Sequence, residues 1–201
     1  MSWILPFYLL ASFLLGAVPF GLIVARLGTG VDVRTTGSGN IGATNVARSA
    51  GLGPGILTLV LDAAKGLAPV LVAEAVCDGG GLAPGLAGLA AFLGHLYSPF
   101  LGFKGGKGVA TALGVLLGLT PWAVPPSLLI FVAIVARWGY VSAGSMAAAL
   151  IAPLTAMLLG YSHVDWGLTV VIAGFIVLRH RENLGRLARG EENKWRSRKE
   201  E

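Results

Sequence analysis

The sequence predicts an all-α fold, a polytopic membrane helix bundle of about seven transmembrane helices. Three observations carry this reading. Of the 201 residues, 55% are hydrophobic and only 12% are charged. The mean hydropathy is +0.75, well above the range of soluble domains. Long apolar runs alternate with short polar loops rich in glycine and basic residues. At roughly 20 residues per crossing the chain accommodates six or seven short spans, with little left for a soluble domain. A single membrane domain over residues 1–201 is expected, with a basic cytoplasmic tail at about 181–201.

Trp3 to Leu27 forms the first run, with Trp3 and Arg26 as interfacial anchors and Pro6 and Pro19 positioned to kink it. It has no basic residue before Arg26, so it lacks the charged start of a cleaved secretory signal and is read as a retained span. Gly28 to Ser49 is too polar to span. Ile56 to Cys77 is the second run, interrupted by Asp62 and Lys65, which lie three apart on one helical face and are expected to pair. Cys77 is the only cysteine and is read as a small buried apolar residue, since it has no second thiol for a disulfide or a metal. Leu82 to Phe103 is the third run, with His95 near its end as a packed or supporting residue. Val109 to Leu119 is about a dozen residues long, short for a complete crossing, so a re-entrant segment is the alternative there. Trp122 to Val135, Tyr140 to Leu159 and Val164 to Leu178 complete the set before a charged tail from Arg179.

Every arginine and lysine except Lys65 falls at residues 26–48, 104–107, 137, or from 179 onward. These are alternate connections in a seven-span scheme, and the intervening ones carry Asp78 and Asp165 but no basic residue. The positive-inside rule then places the N-terminus outside and the C-terminus in the cytoplasm. In the tail, Arg186, Arg189, Lys194, Arg196, Arg198 and Lys199 either lie against anionic headgroups or serve as a solvated topology signal. Membrane lipids are the expected surroundings, and no nucleic acid is expected as a partner.

Three clusters interrupt the apolar pattern, and the topology puts all of them on the cytoplasmic side. The first has glycines at Gly37, Gly39 and Gly42 with Ser38, Asn40, Thr44 and Asn45 interleaved, followed by Arg48. Glycine allows a backbone that turns successive amides toward an anion, while the side chains add donors and a fixed charge. The second is Lys104-Gly105-Gly106-Lys107-Gly108. It is not a nucleotide P-loop, because Leu101 stands at the first glycine position and Gly108 replaces the magnesium-binding hydroxyl. Two ammonium groups and open amides before a helix still suit a phosphate. The third, His180-Arg181-Glu182-Asn183, follows the last span directly; there His180 can orient a substrate or exchange a proton, with Asn183 on the same helical face.

Together these segments, with Gly94-His95, Phe100 and Phe103, and the tail sequence Asn183-Leu184 through Gly190-Glu191-Glu192-Asn193-Lys194, closely resemble the three motifs of the PlsY family. The resemblance extends to Leu61-Asp62, Lys65-Gly66 and Tyr140-Val141-Ser142. Ile41 occupies a variable position, and Gly185 replaces a bulkier residue in the last motif, a departure that bears on the tail helix. The family consists of bacterial acyl-phosphate:glycerol-3-phosphate acyltransferases. The resemblance implies transfer of a fatty acyl group from acyl phosphate to the 1-hydroxyl of glycerol 3-phosphate. The products would be lysophosphatidic acid and inorganic phosphate, in the first committed step of bacterial phospholipid synthesis. It also implies a cytoplasmic-membrane location, no metal and no cofactor, and a functional link to a soluble acyl-phosphate-forming enzyme.

On this basis Ser38, Asn40, Arg48, His180 and Asn183 are the candidate catalytic residues. Gly37, Gly39, Gly42, Thr44, Asn45, Lys104, Gly105, Gly106, Lys107, Gly108 and Ser142 are the candidate substrate-binding residues. Ser38, Gly39, Asn40 and Thr44 are assigned to the donor phosphate; Arg48, Lys104, His180, Asn183 and Ser142 are assigned to glycerol 3-phosphate. The rival from another class is a membrane transporter of an anionic or phosphorylated solute. Transporters place their sites near the midplane, often between inverted repeats, whereas here only Asp62 and Lys65 are intramembrane.

Overall fold

A computed structural model describes residues 4–76 and 82–195. The expectations for Trp3, Cys77, Asp78, Arg196, Arg198 and Lys199 lie outside the described residues. Among those described, the fold is all helical: α1 (Ile4–Ala17), α2 (Phe20–Thr29), α3 (Ala43–Ala50), α4 (Leu52–Val76), α5 (Ala83–Leu96), α6 (Val109–Leu119), α7 (Val124–Trp138), α8 (Val141–Leu158), α9 (His163–Arg179) and α10 (Arg181–Ala188). Short 3₁₀ turns at Pro99–Leu101 and Pro121–Ala123 complete the set. The chain divides into two compact units, one ending at Leu119 and one beginning at Thr120.

Four helical stretches are long and apolar enough to cross a bilayer: Ile4–Thr29, Leu52–Val76, Pro121–Trp138 and Val141–Leu158. The first counts α1 and α2 together across their break at Val18 and Pro19. Pro19 has no amide to continue the helical ladder, so the kink expected there is a full interruption; Pro6 sits in the first turn of α1, where proline is tolerated. The third run is shorter than its hydropathy suggested. α5 ends at Leu96, and the remainder to Phe103 is a 3₁₀ turn and loop. α6 has 11 residues, as read from the sequence. Large side chains such as Phe7, Leu27 and Leu129 are exposed on these helices, which suits a protein solvated by lipid tails.

α4 is the hub of the first unit and packs on α1, α2, α3, α5 and α6. Close approach is achieved with small residues, the usual device where apolar helices gain nothing from excluding one another from lipid. A Cβ on Gly114 of α6 would overlap the Ala63 carbonyl of α4, and one on Gly66 would overlap the Thr111 carbonyl. In the second unit α8 packs on both α7 and α9. Ser162 caps α9 by accepting the Asp165 amide at 3.1 Å. The tail helix forms despite Gly185, which lies within α10.

Candidate active site

The first glycine-rich loop is organised from within. Asp32 opens it, accepting from Arg26 at 2.6 Å and from Arg34 at 2.7 Å. The Arg34 guanidinium beside Asp32 holds its carboxyl well below the usual carboxylate range, with Arg26 acting in the same sense. Asn45, 2% exposed, is the central tie. Its Nδ2 donates to the carbonyls of Val33 (2.8 Å), Asn40 (2.9 Å) and Thr36 (3.1 Å), and its Oδ1 accepts the Ser38 amide at 2.9 Å. Gly37 has φ +57 and lies so close to Asn45 that a side chain would displace Oδ1. The Asn40 side chain accepts the Gly42 amide at 2.9 Å, and Gly39 donates its amide to Thr36.

This differs from the expected cradle in one respect. The amides of Ser38, Gly39 and Gly42 turn inward to acceptors of the loop itself, and Asn45 spends its amide group on the backbone. The sequence shows that donors are dense here but not which way they face. Ser38 is exposed on the outer surface of the loop, as is Arg48 on α3. α3 starts at Gly42 without a side-chain cap, so the positive end of its dipole faces the loop.

The second cluster folds back onto the end of α5. The amides of Gly105 and Gly106 donate to the carbonyls of Leu96 (3.1 Å) and His95 (3.0 Å), and that of Lys104 to Leu101 (3.2 Å). Here too these three amides, expected to be open, are engaged. Close packing explains the glycines, because a Cβ at 105 or 106 would overlap His95. Phe103 takes a left-handed φ of 63 just ahead of Lys104, a strained conformation for a bulky residue. Lys104 itself is exposed. The preceding 3₁₀ turn is anchored by Ser98, whose Oγ donates to the Ala17 carbonyl at 2.6 Å.

The first two clusters meet at one end of the first unit. Leu22, Ala25, Val33, Ile41 and Val46 form a buried apolar cluster under the first loop, and Leu101 of the second packs against it.

The third cluster belongs to the second unit. His180 is the residue between α9 and α10, 3% exposed, with Nδ1 2.8 Å from the Ile176 carbonyl. A carbonyl only accepts, so Nδ1 carries the hydrogen, and in the neutral form of the ring Nε2 is the acceptor. Ser142, in the first turn of α8, and Asn183 of α10 converge on a carboxylate that the sequence reading left without a role. Glu192 accepts from Ser142 at 2.7 Å, from Asn183 at 2.6 Å and from Arg186 at 2.8 Å. Burial pushes its carboxyl up, but these hydrogen bonds outweigh burial and leave it below its ordinary value. Asp32, Ser98 and Glu192 are thus the supporting residues that sequence reasoning missed. Only Glu192 carried a signal, its place in the last motif.

Among the described residues, helices alone, with four stretches of crossing length and polar chemistry gathered in short glycine-rich basic loops, define a polytopic membrane protein. A family model described as glycerol-3-phosphate acyltransferase matches residues 6–190. The chain is 50% identical over 188 residues to a glycerol-3-phosphate acyltransferase of Geobacter sulfurreducens, covering 92% of this chain and 95% of that one. It is 49% identical over 185 residues to that of Geotalea daltonii, covering 92% and 94%. Among solved structures it is similar to the crystal structure of PlsY (YgiH), an integral membrane glycerol 3-phosphate acyltransferase, in its glycerol 3-phosphate form. That match has a TM-score of 0.90 and 42% identity, and covers 94% of both chains. The lysophosphatidic acid form of PlsY matches with a TM-score of 0.89 and 41% identity. This chain belongs to the glycerol-3-phosphate acyltransferase family and is a multi-pass membrane acyltransferase.

Proposed function

We propose that the chain transfers a fatty acyl group from acyl phosphate to the 1-hydroxyl of glycerol 3-phosphate, giving lysophosphatidic acid and inorganic phosphate. The observation that carries this reading is that the first glycine-rich loop, followed by α3 with Arg48, and the turn at Leu101 that leads to Lys104 pack on one apolar cluster. That arrangement serves a reaction in which both reactants carry phosphate.

The chemistry asks little of a base. An acyl phosphate is an activated mixed anhydride, so catalysis rests on alignment and charge neutralisation. The 1-hydroxyl oxygen bonds to the acyl carbonyl carbon, the bond from that carbon to the phosphate oxygen breaks, and phosphate leaves with the electron pair. The hydroxyl proton passes to the phosphate of glycerol 3-phosphate. The side chains of Ser38, Asn40 and Thr44 hold the donor phosphate, with Gly39 shaping the turn between them and the uncapped start of α3 in support. Arg48 and Lys104 neutralise glycerol 3-phosphate. His180 helps to hold glycerol 3-phosphate, with Nε2 as its acceptor in the tautomer that the Ile176 carbonyl selects. Ser142 and Asn183, already ordered by Glu192, contribute further hydrogen bonds.

In this reading the chain has seven spans, an outside N-terminus and a cytoplasmic C-terminus in a bacterial inner membrane. Its donor comes from a soluble acyl-phosphate-forming enzyme. Reconstituted protein given glycerol 3-phosphate with acyl phosphate, acyl-coenzyme A or no donor tests it. Lysophosphatidic acid is expected with acyl phosphate alone. Uptake of glycerol 3-phosphate into the liposomes without product would establish a transporter instead.

A further inference from the structure

α4 carries a charged pair that crossing a membrane does not require. Asp62 and Lys65 lie 2.7 Å apart with side chains 2% and 1% exposed. A buried ion pair loses hydration that its mutual attraction only partly returns, and apolar residues of similar size serve packing as well or better. Its use here follows from what each partner reaches. Lys65 donates to the Val18 carbonyl at 2.8 Å, at the break between α1 and α2. One residue earlier, the Ala17 carbonyl is taken by Ser98, from the segment that leads into the second loop.

Asp62 faces the other way, toward α5. Its Oδ1 lies 3.8 Å from His95 Nδ1, too far for a direct hydrogen bond but close enough for the carboxylate to orient the imidazole. The far side of the ring lies against the Lys104–Gly108 turn, where a Cβ on Gly106 would overlap Nε2. The backbone of the same histidine accepts the Gly106 amide at 3.0 Å, and that of its neighbour Leu96 accepts the Gly105 amide at 3.1 Å. Asp62, His95 and Gly106 therefore form a continuous buried path from the centre of the bundle to the turn that carries Lys104.

We propose that His95, oriented by the Asp62–Lys65 pair, is a positioning residue that sets the Lys104–Gly108 turn and with it the affinity for glycerol 3-phosphate. This rests on the reading that Lys104 holds that substrate. His95 touches no reactant. It acts through Gly106, whose backbone can approach the ring only because it lacks a side chain, and through Gly105, which lies as closely against the His95 carbonyl.

The test is glycerol 3-phosphate binding by calorimetry on purified wild type, His95→Leu, His95→Gln and Asp62→Asn, with steady-state kinetics and thermal midpoints in the same detergent. The expected result for His95→Leu is a dissociation constant and KM for glycerol 3-phosphate raised about tenfold. The KM for acyl phosphate stays within twofold and the midpoint within a few degrees. Asp62→Asn shifts in the same direction, and His95→Gln, which keeps a polar group near the position of Nε2, recovers part of the loss. Equal rises in both KM values would overturn the proposal, as would a lowered midpoint with glycerol 3-phosphate affinity unchanged. Should His95→Leu fail to fold, His95→Gln and Asp62→Asn decide by the same ratio of KM values. If wild type itself binds no glycerol 3-phosphate, the proposed function falls and this inference with it. If wild type binds and the variants match it, only this inference falls.

Discussion

Asn45→Asp is a nearly isosteric substitution that replaces the Nδ2 amide group by a carboxylate oxygen and so removes both of its hydrogens. Those hydrogens serve carbonyls at 2.8, 2.9 and 3.1 Å, so they amount to two full hydrogen bonds, one of them shared. The Oδ1 contact with the Ser38 amide survives. At about 1 kcal/mol net per bond the loop loses about 2 kcal/mol. A carboxylate facing three carbonyl oxygens, on a residue 2% exposed, adds to that loss. If the ordered loop is the binding-competent form, apparent affinity falls with its population, and 2 kcal/mol corresponds to a loss of kcat/KM of up to about thirtyfold. The assay is phosphate release from acyl phosphate by purified wild type and variant at subsaturating substrate, with circular dichroism to confirm that the helices remain. Activity within threefold of wild type, with the fold intact, would refute the view that Asn45 holds the loop together.

Lys104→Met is expected to raise the KM for glycerol 3-phosphate at least tenfold more than that for acyl phosphate; equal effects in steady-state kinetics would break the assignment of substrates to loops. Gly114→Leu forces a side chain into the Ala63 carbonyl of α4 and should cost about 1–3 kcal/mol, read as a lower thermal midpoint in detergent. Glu192 is held below its ordinary carboxyl value, so its contribution to stability is fully present above about pH 4.5 and is lost as pH falls through the lower folded value. Cleavage by pepsin, an acid protease, at Leu184 and Leu187 of α10 should therefore accelerate as pH falls below about 4.5 by more than it does for an unstructured peptide of the same sequence, and Glu192→Gln should already be cleaved faster at the upper end of that range. A cleavage rate independent of both would count against the ordering role of Glu192.

The membrane class, the helical content and the polar clusters were legible in the sequence because hydropathy and glycine density are local properties. The break at Pro19 was visible in part, as a kink, because proline's effect is local while its depth depends on what caps the freed carbonyls. The acceptors at Ala17 and Val18 are taken by Ser98 and Lys65, partners at separations no short motif reveals. The same limit hid the inward direction of the loop amides. Gly105 and Gly106 suit an anion-binding turn and a tight backbone crossing equally well, and only the position of His95 distinguishes them. Glu192 stood in plain view in the last motif, but nothing local says that Ser142, 50 residues earlier, donates to it.

The most direct test of the account is phosphorus NMR of purified protein mixed with acyl phosphate and glycerol 3-phosphate. The account predicts that both signals fall together while lysophosphatidic acid and inorganic phosphate rise one for one, with neither change when either substrate is omitted. Consumption of acyl phosphate at the same rate without glycerol 3-phosphate, or an unchanged glycerol 3-phosphate signal, would contradict it.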